Sequence, residues 1–263
     1  MPIHLPPGLR RLEEAEFEQV TYEVMEVIFK VHNQMGRLFD EPVYQRAIAQ
    51  RIEGALVELP LRVSFESFAK TYYLDLLVRG GALFELKAAE VTHDRHRAQL
   101  LNYLLLLELP HGKLVNFRGE LVEHEFVNAS LTREERVRFQ VDDANYVKIQ
   151  DAGVDLRVLF VPILRDWGTG LDLNLYEEVL VHFFGGENQV VRPVEIFDGR
   201  VKVATQKLLL IFPDTALRIT TLSRDLDQFE AHLRRFLQHT RLRNIQWVNV
   251  GRKLVVFRTL SRI

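Results

Sequence analysis

The chain contains no cysteine, and this absence excludes several kinds of site at once. Disulfides, thiolate metal centres and cysteine nucleophiles are all ruled out. The chain also lacks an excess of either charge, because 34 lysine and arginine residues face 36 aspartate and glutamate residues, for a net charge of −2. No overall field draws the protein to nucleic acid or to an anionic membrane, so any basic surface must be local.

Long apolar runs are missing as well. The longest one centres on residues 104–107 and is far too short to cross a bilayer, and the first residues contain no apolar signal segment. We therefore expect a cytoplasmic protein with no membrane partner. The 263 residues are 47% hydrophobic and 27% charged, which excludes a disordered or fibrous chain and suffices for one large core or two ordinary ones.

Apolar periodicity predicts a mixed α/β unit in the first half. Residues 16–33 carry apolar side chains at three- and four-residue steps, as in an amphipathic helix that ends near Gly36. The other predicted elements are a helix at 41–52, strands at 61–65, 72–78 and 82–88, a helix at 93–109, and strands at 113–117 and 121–126. The first three strands form a meander, with a tight turn at Arg79, Gly80 and Gly81.

The same order of elements returns from residue 131. The pattern predicts an apolar segment at 156–164, helices at 176–184 and 229–239, and strands at 190–197, 201–212 and 216–222. Identical residues coincide when the chain is shifted on itself by 133 residues, or by 132 around Gly36, Asp40 and Tyr44. We therefore predict a duplicated chain with domains at 1–130 and 131–263. The alternative is two unrelated α/β segments rich in leucine and valine.

Asp75 is a carboxylate inside a strand that is otherwise suited to burial. If the turn is a three-residue loop with Gly81 in the left-handed conformation, Asp75 pairs across the hairpin from Glu85, and Lys87 projects from the same face. Two carboxylates that close need a cation, and hard oxygen ligands favour Mg²⁺ or Mn²⁺. The alternative is a solvated sheet face with Asp75 paired locally, although an unpaired buried carboxylate is costly.

The helix after this meander carries further polar residues. Gln99 and Tyr103 are four residues apart and share one face, with Arg95 and His96 one turn earlier. Such a pair is suited to holding a phosphate or a base, although the same spacing is common at the edge of an amphipathic helix. His93 and His96 are left out of the catalytic set, because no third metal ligand is evident beside them.

Several of these motifs together resemble the PD-(D/E)XK nucleases. Asp75, followed after nine residues by Glu85, Leu86 and Lys87, is similar to the signature that names that superfamily. The segment from Gln99 to Tyr103 resembles the QxxxY motif of its RecB-like branch.

A second resemblance concerns a bacterial group within that superfamily, the GxxExxY proteins. Residues 31–44, together with Asn116 and Phe117, resemble the group's defining pattern, so that the likeness extends over residues 18–127. The usual Gly-x-Gly-Leu-Leu-Glu is replaced by residues 36–41, with Leu38 where the second glycine belongs. Counting back from Tyr44 selects Glu41 as the group's glutamate, with Asp40 as the less favoured alternative.

The resemblance implies a restriction-endonuclease-like α/β core and metal-dependent hydrolysis of phosphodiester bonds in DNA. It implies that Mg²⁺ or Mn²⁺ polarises the scissile phosphate and that Lys87 orients the attacking water. The metal ligands it implies are Asp75, Glu85, the Leu86 carbonyl and Glu41. Gln99 and Tyr103 are then expected to position the phosphate or the water around the metal.

The second half lacks every one of these groups. The positions matching Glu41, Asp75, Glu85, Lys87, Gln99 and Tyr103 hold Leu173, Leu208, Arg218, Thr220, His232 and Phe236. We therefore expect a pseudo-nuclease copy, one active site per chain and a monomer that is an internal pseudo-dimer, with a homodimer as the alternative.

The C-terminal segment supplies a local excess of basic residues. Residues 231–263 include eight arginines and lysines and no acidic residue, which favours a nucleic-acid-binding face. The expected binding residues are Arg95, Arg234, Arg235, Arg241 and Arg243. The alternative is an ordinary solvated surface, and nearby Trp247 and Phe257 are predicted to lie in the core.

Two readings of the function remain open. The first is a nuclease that acts on DNA, with RNA or a nucleotide as the other substrates not excluded. The second is a non-catalytic nucleic-acid-binding or regulatory protein with a vestigial nuclease site.

Overall fold

The computed structural model describes residues 3–4, 8–91, 93–149 and 153–262. The chain divides into two compact units, Met1–Arg133 and Glu134–Ile263. Each unit contains a six-stranded sheet, and the described residues form eight helices in all, so the protein is mixed α/β. Among the described residues, no helix combines the length and the apolar character needed to cross a membrane.

The first unit consists of nine elements. In chain order they are β1 (Ile3–His4), α1 (Glu14–Met35), α2 (Glu41–Ala49), β2 (Leu56–Phe65), β3 (Phe68–Val78), β4 (Ala82–Lys87), α3 (Asp94–Leu107), β5 (His111–Asn116) and β6 (Glu123–Asn128). The strands lie side by side in chain order. The β4–β5 pair is parallel and the other four pairs are antiparallel. Because α3 connects β4 to β5, it provides the crossover that a parallel pair requires.

The sheet of the first unit is covered on both faces. Helices α1 and α2 pack on one face, in a core that includes Ile28, Tyr44 and Phe84. Helix α3 packs on the other face, where a Cβ at Gly112 would lie 3.0 Å from the Leu100 side chain. Because both faces are covered, the strands at the centre of the sheet are buried almost continuously, as for a parallel sheet.

The two helices predicted before the meander are present. Helix α1 extends two residues beyond the predicted range at each end, and it stops at Gly36, whose φ of 73° is accessible to glycine at low cost. Helix α2 begins at Glu41 as predicted but ends at Ala49, three residues early.

The turn between β3 and β4 differs from the prediction. Arg79 and Gly80 adopt positive φ angles of 50° and 71°, whereas Gly81 does not, so the prediction of a left-handed Gly81 is wrong. Glycine is needed at position 81 for a different reason. A Cβ there would lie 2.5 Å from the carbonyl oxygen of Arg10 and 2.6 Å from Leu12 Cγ, so the preceding segment approaches too closely for a side chain.

The second unit and the segment leading into it contain eleven elements. They are α4 (Arg133–Val137), β7 (Gln140–Asn145), α5 (Leu156–Trp167), α6 (Leu173–Phe183), α7 (Glu187–Val190), β8 (Val191–Asp198), β9 (Val201–Phe212), β10 (Thr215–Thr220), α8 (Leu226–Gln238), β11 (Asn244–Val250) and β12 (Leu254–Ser261). The strand order is β7-β12-β11-β10-β9-β8. Strand β9 matches its predicted range, whereas β7 was not predicted and Val190 belongs to α7 instead of a strand. Trp247 and Phe257 are buried, as predicted.

Candidate active site

Three carboxylates surround one ammonium group in the first unit. Lys87 Nζ lies 2.6 Å from Glu85 Oε1, 3.3 Å from Asp75 Oδ2 and 3.4 Å from Glu41 Oε2. We call these four residues the acidic cluster. The structure thus brings together the two acids and the lysine singled out from the strand pattern and the glutamate implied by the family resemblance.

The pairing of β3 with β4 places two of the acids. The ladder pairs Leu76 with Phe84, and one further step in the same register sets Asp75 opposite Glu85. Asp75 is also fixed by the backbone, because its Oδ2 accepts a hydrogen bond of 2.8 Å from the Leu86 amide. Lys87 lies two residues beyond Glu85 and therefore projects from the same face of β4.

The third acid comes from the start of a helix. Glu41 is the first residue of α2 and follows Asp40, the N-cap residue, whose side chain makes no capping hydrogen bond. A negative charge in the first turn of a helix is favoured by the helix dipole. The structure therefore places Glu41 against Lys87, while Asp40 is the residue that precedes the helix.

Burial dominates the electrostatics of Glu85. Its side chain is 0% exposed, and burial followed by the charge of Asp75 raises its pKa to about 8, against the opposing effect of Lys87. Neither carboxylate oxygen of Glu85 finds a hydrogen-bond partner among the described residues, although Oε1 pairs with Lys87 as an ion. A fully buried carboxylate with an unpartnered oxygen is costly unless a cation or a proton compensates it.

The other members of the acidic cluster are perturbed as well. Burial raises the pKa of Asp75, while Lys87 and the Leu86 amide oppose the rise. Burial and the charge of Asp75 likewise raise the pKa of Glu41. The three carboxylates in turn raise the pKa of Lys87, overcoming the effect of burial, so this side chain remains an ammonium at neutral pH.

Gln99 and Tyr103 form a hydrogen-bonded pair on α3. Gln99 Nε2 donates to Tyr103 Oη over 3.0 Å, as expected for residues four apart on a helix. Tyr103 is 5% exposed, and burial raises its pKa to about 12. The charges of Glu85 and Asp75 also contribute to that shift, so this pair lies within electrostatic range of the acidic cluster.

Two side chains tie together the loops that carry the acidic cluster. Asn116 accepts a hydrogen bond from the Ala89 amide over 3.1 Å and donates one to the Ala89 carbonyl over 2.8 Å. Arg118 donates to the carbonyl oxygens of both Ala88 and Arg37. Arg118 therefore links the segment that follows Lys87 to the loop that precedes Glu41.

Glu58 on β2 is an acidic residue that the sequence did not reveal. Val57 and Leu59 pair with Leu76 and Leu74, so Glu58 lies opposite Asp75 on the other side from Glu85. Its charge raises the pKa of both Asp75 and Glu41. It also adopts a positive φ of 50°, a strained conformation for a residue with a side chain. Extending the predicted strand back through Pro60 would have indicated this pairing.

His96 also lies near the acidic cluster. It is 6% exposed, and burial lowers its pKa, with Arg95 and Lys87 adding to that effect. Its two ring nitrogens lie 3.3 Å from Arg95 Nε and from the His93 amide. A neutral imidazole has one acceptor nitrogen, so it accepts a hydrogen bond from only one of these two donors at a time, and Lys87 acts on the ring at electrostatic range.

The arginines expected to bind nucleic acid have partners within the protein. Arg234 and Arg243 pair with Glu230 and Asp214 at 2.8 and 3.2 Å, and Arg258 pairs with Glu230 and Asp227. The remaining three make local contacts: Arg95 with His96, Arg235 with Ala231 and His232, and Arg241 over the Phe197 ring. Acidic side chains from outside residues 231–263 thus neutralise part of this basic surface, and its role in binding stays a prediction.

The donor set of the acidic cluster suits a hard divalent cation. Across the described residues, no group of three or more histidine, aspartate or glutamate side chains is already arranged around a metal position. The Lys87 ammonium instead makes the contacts to all three carboxylates. The unpartnered Glu85 oxygen, the neighbouring Asp75 carboxylate and the accessible Glu41 nevertheless fit Mg²⁺ or Mn²⁺, which prefer oxygen ligands.

Comparisons with known proteins give one family match, which lies in the first unit. No curated protein matches the chain. A solved structure described as "Crystal structure of SSO0001" is similar at 13% identity and a TM-score of 0.25, covering 42% of this chain and 68% of that one. Residues 18–129 match the family model of the PD-(D/E)XK nuclease superfamily, a range that includes every member of the acidic cluster together with Gln99 and Tyr103.

Proposed function

We propose that the protein is a metal-dependent nuclease that hydrolyses phosphodiester bonds in DNA with one active site, located in the first unit. The observation that carries this proposal is the convergence of Glu41, Asp75 and Glu85 on Lys87 within the range matched by the superfamily. A superfamily of nucleases makes phosphodiester hydrolysis the natural use of such a cluster. Keeping three carboxylates together against their repulsion also favours a site over a structural role.

The residues of the first unit have distinct roles in this proposal. Mg²⁺ or Mn²⁺ held by Asp75, Glu85, the Leu86 carbonyl and Glu41 supplies Lewis-acid polarisation of the phosphate and lowers the pKa of the attacking water. Because its pKa is raised, Lys87 acts as a fixed positive charge that orients the water and stabilises the charge developing on the phosphate oxygens.

The pair on α3 has a positioning role. Gln99 retains a carbonyl oxygen and a second amide hydrogen after donating to Tyr103, so the pair can orient a phosphate or the water around the metal. With the pKa of Tyr103 near 12, its hydroxyl stays protonated and donates a hydrogen bond. This pair supports assigning the first unit to the QxxxY branch.

We also propose that the second unit is a degenerate copy of the first. When the first unit is shifted by 133 residues along the sequence, β4 has the same first and last positions as β10. The first residue of β3 then coincides with the first residue of β9. The β8–β12 strands have the same order as β2–β6, with the parallel pair β10–β11 at the place of β4–β5. These correspondences support a duplication, because unrelated α/β segments have no reason to share element lengths.

Matching hydrogen bonds support the same proposal. Tyr44 Oη donates to the Gly36 carbonyl over 2.7 Å, and Tyr176 Oη donates to the Gly168 carbonyl over 2.6 Å. Both glycines end a helix. The Asn249 side chain accepts a hydrogen bond from the Leu222 main-chain amide and donates one to the Leu222 carbonyl. The Asn116 side chain makes the same two hydrogen bonds with Ala89.

The chemistry of the two units differs at every position of the site. Glu41, Asp75, Glu85, Lys87, Gln99 and Tyr103 correspond to Leu173, Leu208, Arg218, Thr220, His232 and Phe236. The second copy therefore has neither carboxylates for a metal nor the ammonium group. With one active site per chain, we expect one strand to be cut in each binding event.

The decisive experiment compares two aspartate variants of the full chain. Asp75→Asn retains an acceptor for the Leu86 amide but removes the charge, whereas Asp198→Asn removes an exposed aspartate from the second unit. Mg²⁺ and Mn²⁺ binding is measured by calorimetry, and cleavage is assayed on single-stranded, nicked and supercoiled DNA and on single-stranded RNA.

We expect the wild type and Asp198→Asn to bind the metal and to convert supercoiled DNA first to nicked circles. Asp75→Asn should lose cleavage by about a hundredfold or more, the scale of removing a group that stabilises the transition state. Cleavage of RNA but not DNA would overturn the substrate assignment. No metal binding and no cleavage by the wild type would instead favour a non-catalytic nucleic-acid-binding protein.

A further inference from the structure

The second unit contains a cavity of about 430 Å³ between α8 and the sheet. Its size falls within the range of small-molecule sites. Helix α8, strands β9, β10 and β11, and one residue of α6 contribute to its walls. Four of the lining residues, Leu208, Arg218, His232 and Phe236, are the counterparts of Asp75, Glu85, Gln99 and Tyr103.

One wall of the cavity is aromatic and aliphatic. Phe229 and Phe236 lie on the same side of α8, seven residues apart, and both are only partly buried. The Phe229 ring lies 5.3 Å from Trp247, which holds it against the core. Leu208 and Ile245 continue this apolar surface. A flat aromatic ligand can therefore bury its faces here without displacing the core.

The rim of the cavity carries positive charge. Arg218 and Lys207 are both exposed, and Arg218 lies within electrostatic range of Glu177. His232 lies beside them, and Glu177 is the one acidic residue among those that line the cavity. This contrasts with Arg234, Arg243 and Arg258, whose charges are met by acidic neighbours.

We propose that this cavity binds a nucleoside phosphate, with the base against Phe229 and Phe236 and the phosphate at Arg218 and Lys207. Aromatic faces accept any base, and the exposed guanidinium and ammonium groups provide the charge that a phosphate requires. The ligand is either a free nucleotide or an unpaired nucleotide within a single strand.

The reversal of charge between the two units explains why no metal is needed here. In the first unit, three carboxylates repel a phosphate unless a divalent cation lies between them. In the second unit, the residue at the position of Glu85 is Arg218, which attracts the phosphate directly. The inference therefore goes beyond the proposed nuclease function and does not depend on it.

Binding is measured on the full chain in EDTA, so that metal-dependent cleavage does not contribute. The probes are a fluorescein-labelled oligothymidylate of eight residues, followed by anisotropy, and deoxyadenosine 5′-monophosphate, followed by thermal shift and by competition. The variants are Arg218→Glu and Phe236→Leu, with Arg200→Glu as the charge-matched control in the exposed β8–β9 turn.

We expect Arg218→Glu to weaken binding by about tenfold or more, and Phe236→Leu to weaken it by about threefold or more, because charge and stacking each contribute substantially. Arg200→Glu should bind within about twofold of the wild type. Binding of the mononucleotide identifies a free nucleotide as the ligand, whereas binding of the oligonucleotide alone identifies a strand.

Equal affinity of Arg218→Glu and Arg200→Glu, or no binding of either probe by the wild type, overturns the inference. Because these measurements exclude metal, their failure leaves the nuclease proposal standing.

Discussion

Arg118 donates two hydrogen bonds to the carbonyl oxygen of Ala88, from Nε over 3.2 Å and from Nη2 over 3.0 Å. A third bond, from Nη1 to the Arg37 carbonyl over 3.2 Å, joins the same guanidinium to the loop before α2. At a shift of 133 residues, Arg118 coincides with Gly251, whereas Asn116 coincides with Asn249, whose side chain bonds to the Leu222 amide and carbonyl. At these shifted positions the second unit therefore has the asparagine but not the arginine.

We predict that Arg118→Ala lowers kcat for DNA cleavage by about tenfold or more with little change in KM, because a small displacement of catalytic groups costs much of the rate. The structural reason is that Glu41 and Lys87 lie on the two segments that Arg118 joins. Steady-state kinetics at saturating Mg²⁺ measure this effect.

Arg51→Ala is the matched control. Arg51 also donates to a main-chain carbonyl, that of Ala47, but it is an exposed residue that follows α2. It should retain wild-type kcat. Equal activity in both variants would show that Arg118 has no positioning role.

The buried Glu85 carboxyl predicts the pH dependence of the metal-free protein. Its pKa is raised from 4.5 to about 8, so the folded state keeps a proton that the unfolded state has released between these pH values. The contribution of Glu85 to the free energy of unfolding in EDTA should therefore be largest below pH 4.5. It should decrease as the pH rises to about 8. The slope is on the order of 1 kcal/mol per pH unit.

Chemical denaturation in EDTA from pH 5 to 8 tests this prediction, with Glu85→Gln as the comparison. The variant cannot ionise at this position, so its free energy of unfolding should decrease less than that of the wild type as the pH rises. Mg²⁺ binding should also strengthen toward pH 8 in the wild type, because the metal requires the ionised carboxylate. Parallel pH profiles for the two proteins would contradict the prediction.

Glu58 allows charge and backbone strain to be separated. Glu58→Gln removes the negative charge but keeps the positive φ, and we expect Mg²⁺ affinity to fall by about threefold at low salt and by less at high salt. Glu58→Gly removes the charge and also the strain of the positive φ. Its Mg²⁺ affinity should fall as in Glu58→Gln, while its free energy of unfolding should rise by about 1 kcal/mol.

Glu66, in the turn between β2 and β3, provides the control, because its φ of 48° carries the same strain. Glu66→Gly should gain similar stability and leave metal affinity unchanged. Unaltered affinity in Glu58→Gln would show that the fourth carboxylate does not contribute to the site. Calorimetry and denaturation together give both quantities.

The paired asparagines test the proposed duplication. Asn116→Ala and Asn249→Ala each remove the side chain that brackets a main-chain amide and carbonyl, so each should cost about 1–3 kcal/mol in its own unit. Only Asn116→Ala should also reduce cleavage. Hydrogen exchange of the Ala89 and Leu222 amides reports each unit separately, and a stability loss confined to one of the two variants would contradict the equivalence.

Local patterns in the sequence account for much of the first unit. Periodicity and the glycine at position 36 predicted α1, and alternation in β3 and β4 predicted the shared face of Asp75, Glu85 and Lys87. The superfamily resemblance, drawn from residues 18–127, is confirmed by the family match at 18–129.

Pairing between distant segments was not predictable in the same way. Strand β2 was predicted to start after Pro60, yet it begins at Leu56. Proline cannot donate to a strand ladder and therefore indicates a strand boundary, yet Pro60 pairs with Tyr73 of β3 inside β2. Consequently the position of Glu58 beside Asp75 was missed.

Polar segments gave the weakest signals. Strand β7 has the sequence QVDDAN and forms only by parallel pairing with β12, a contact that depends on the tertiary fold. Likewise, the sequence of residues 231–263 does not show that its arginines form ion pairs with Asp214, Asp227 and Glu230. Charge counted along the chain therefore overstated the basic surface.

The position of Lys87 among three carboxylates means that the first unit carries its own counterion. Without divalent ions, this ammonium offsets part of the negative charge, and the raised pKa of Glu85 allows a proton to offset more of it. A zinc finger, by contrast, unfolds when its ion is removed. A chelator should therefore act on this protein as a reversible off-switch, and material stored in EDTA should regain its activity as soon as magnesium is returned.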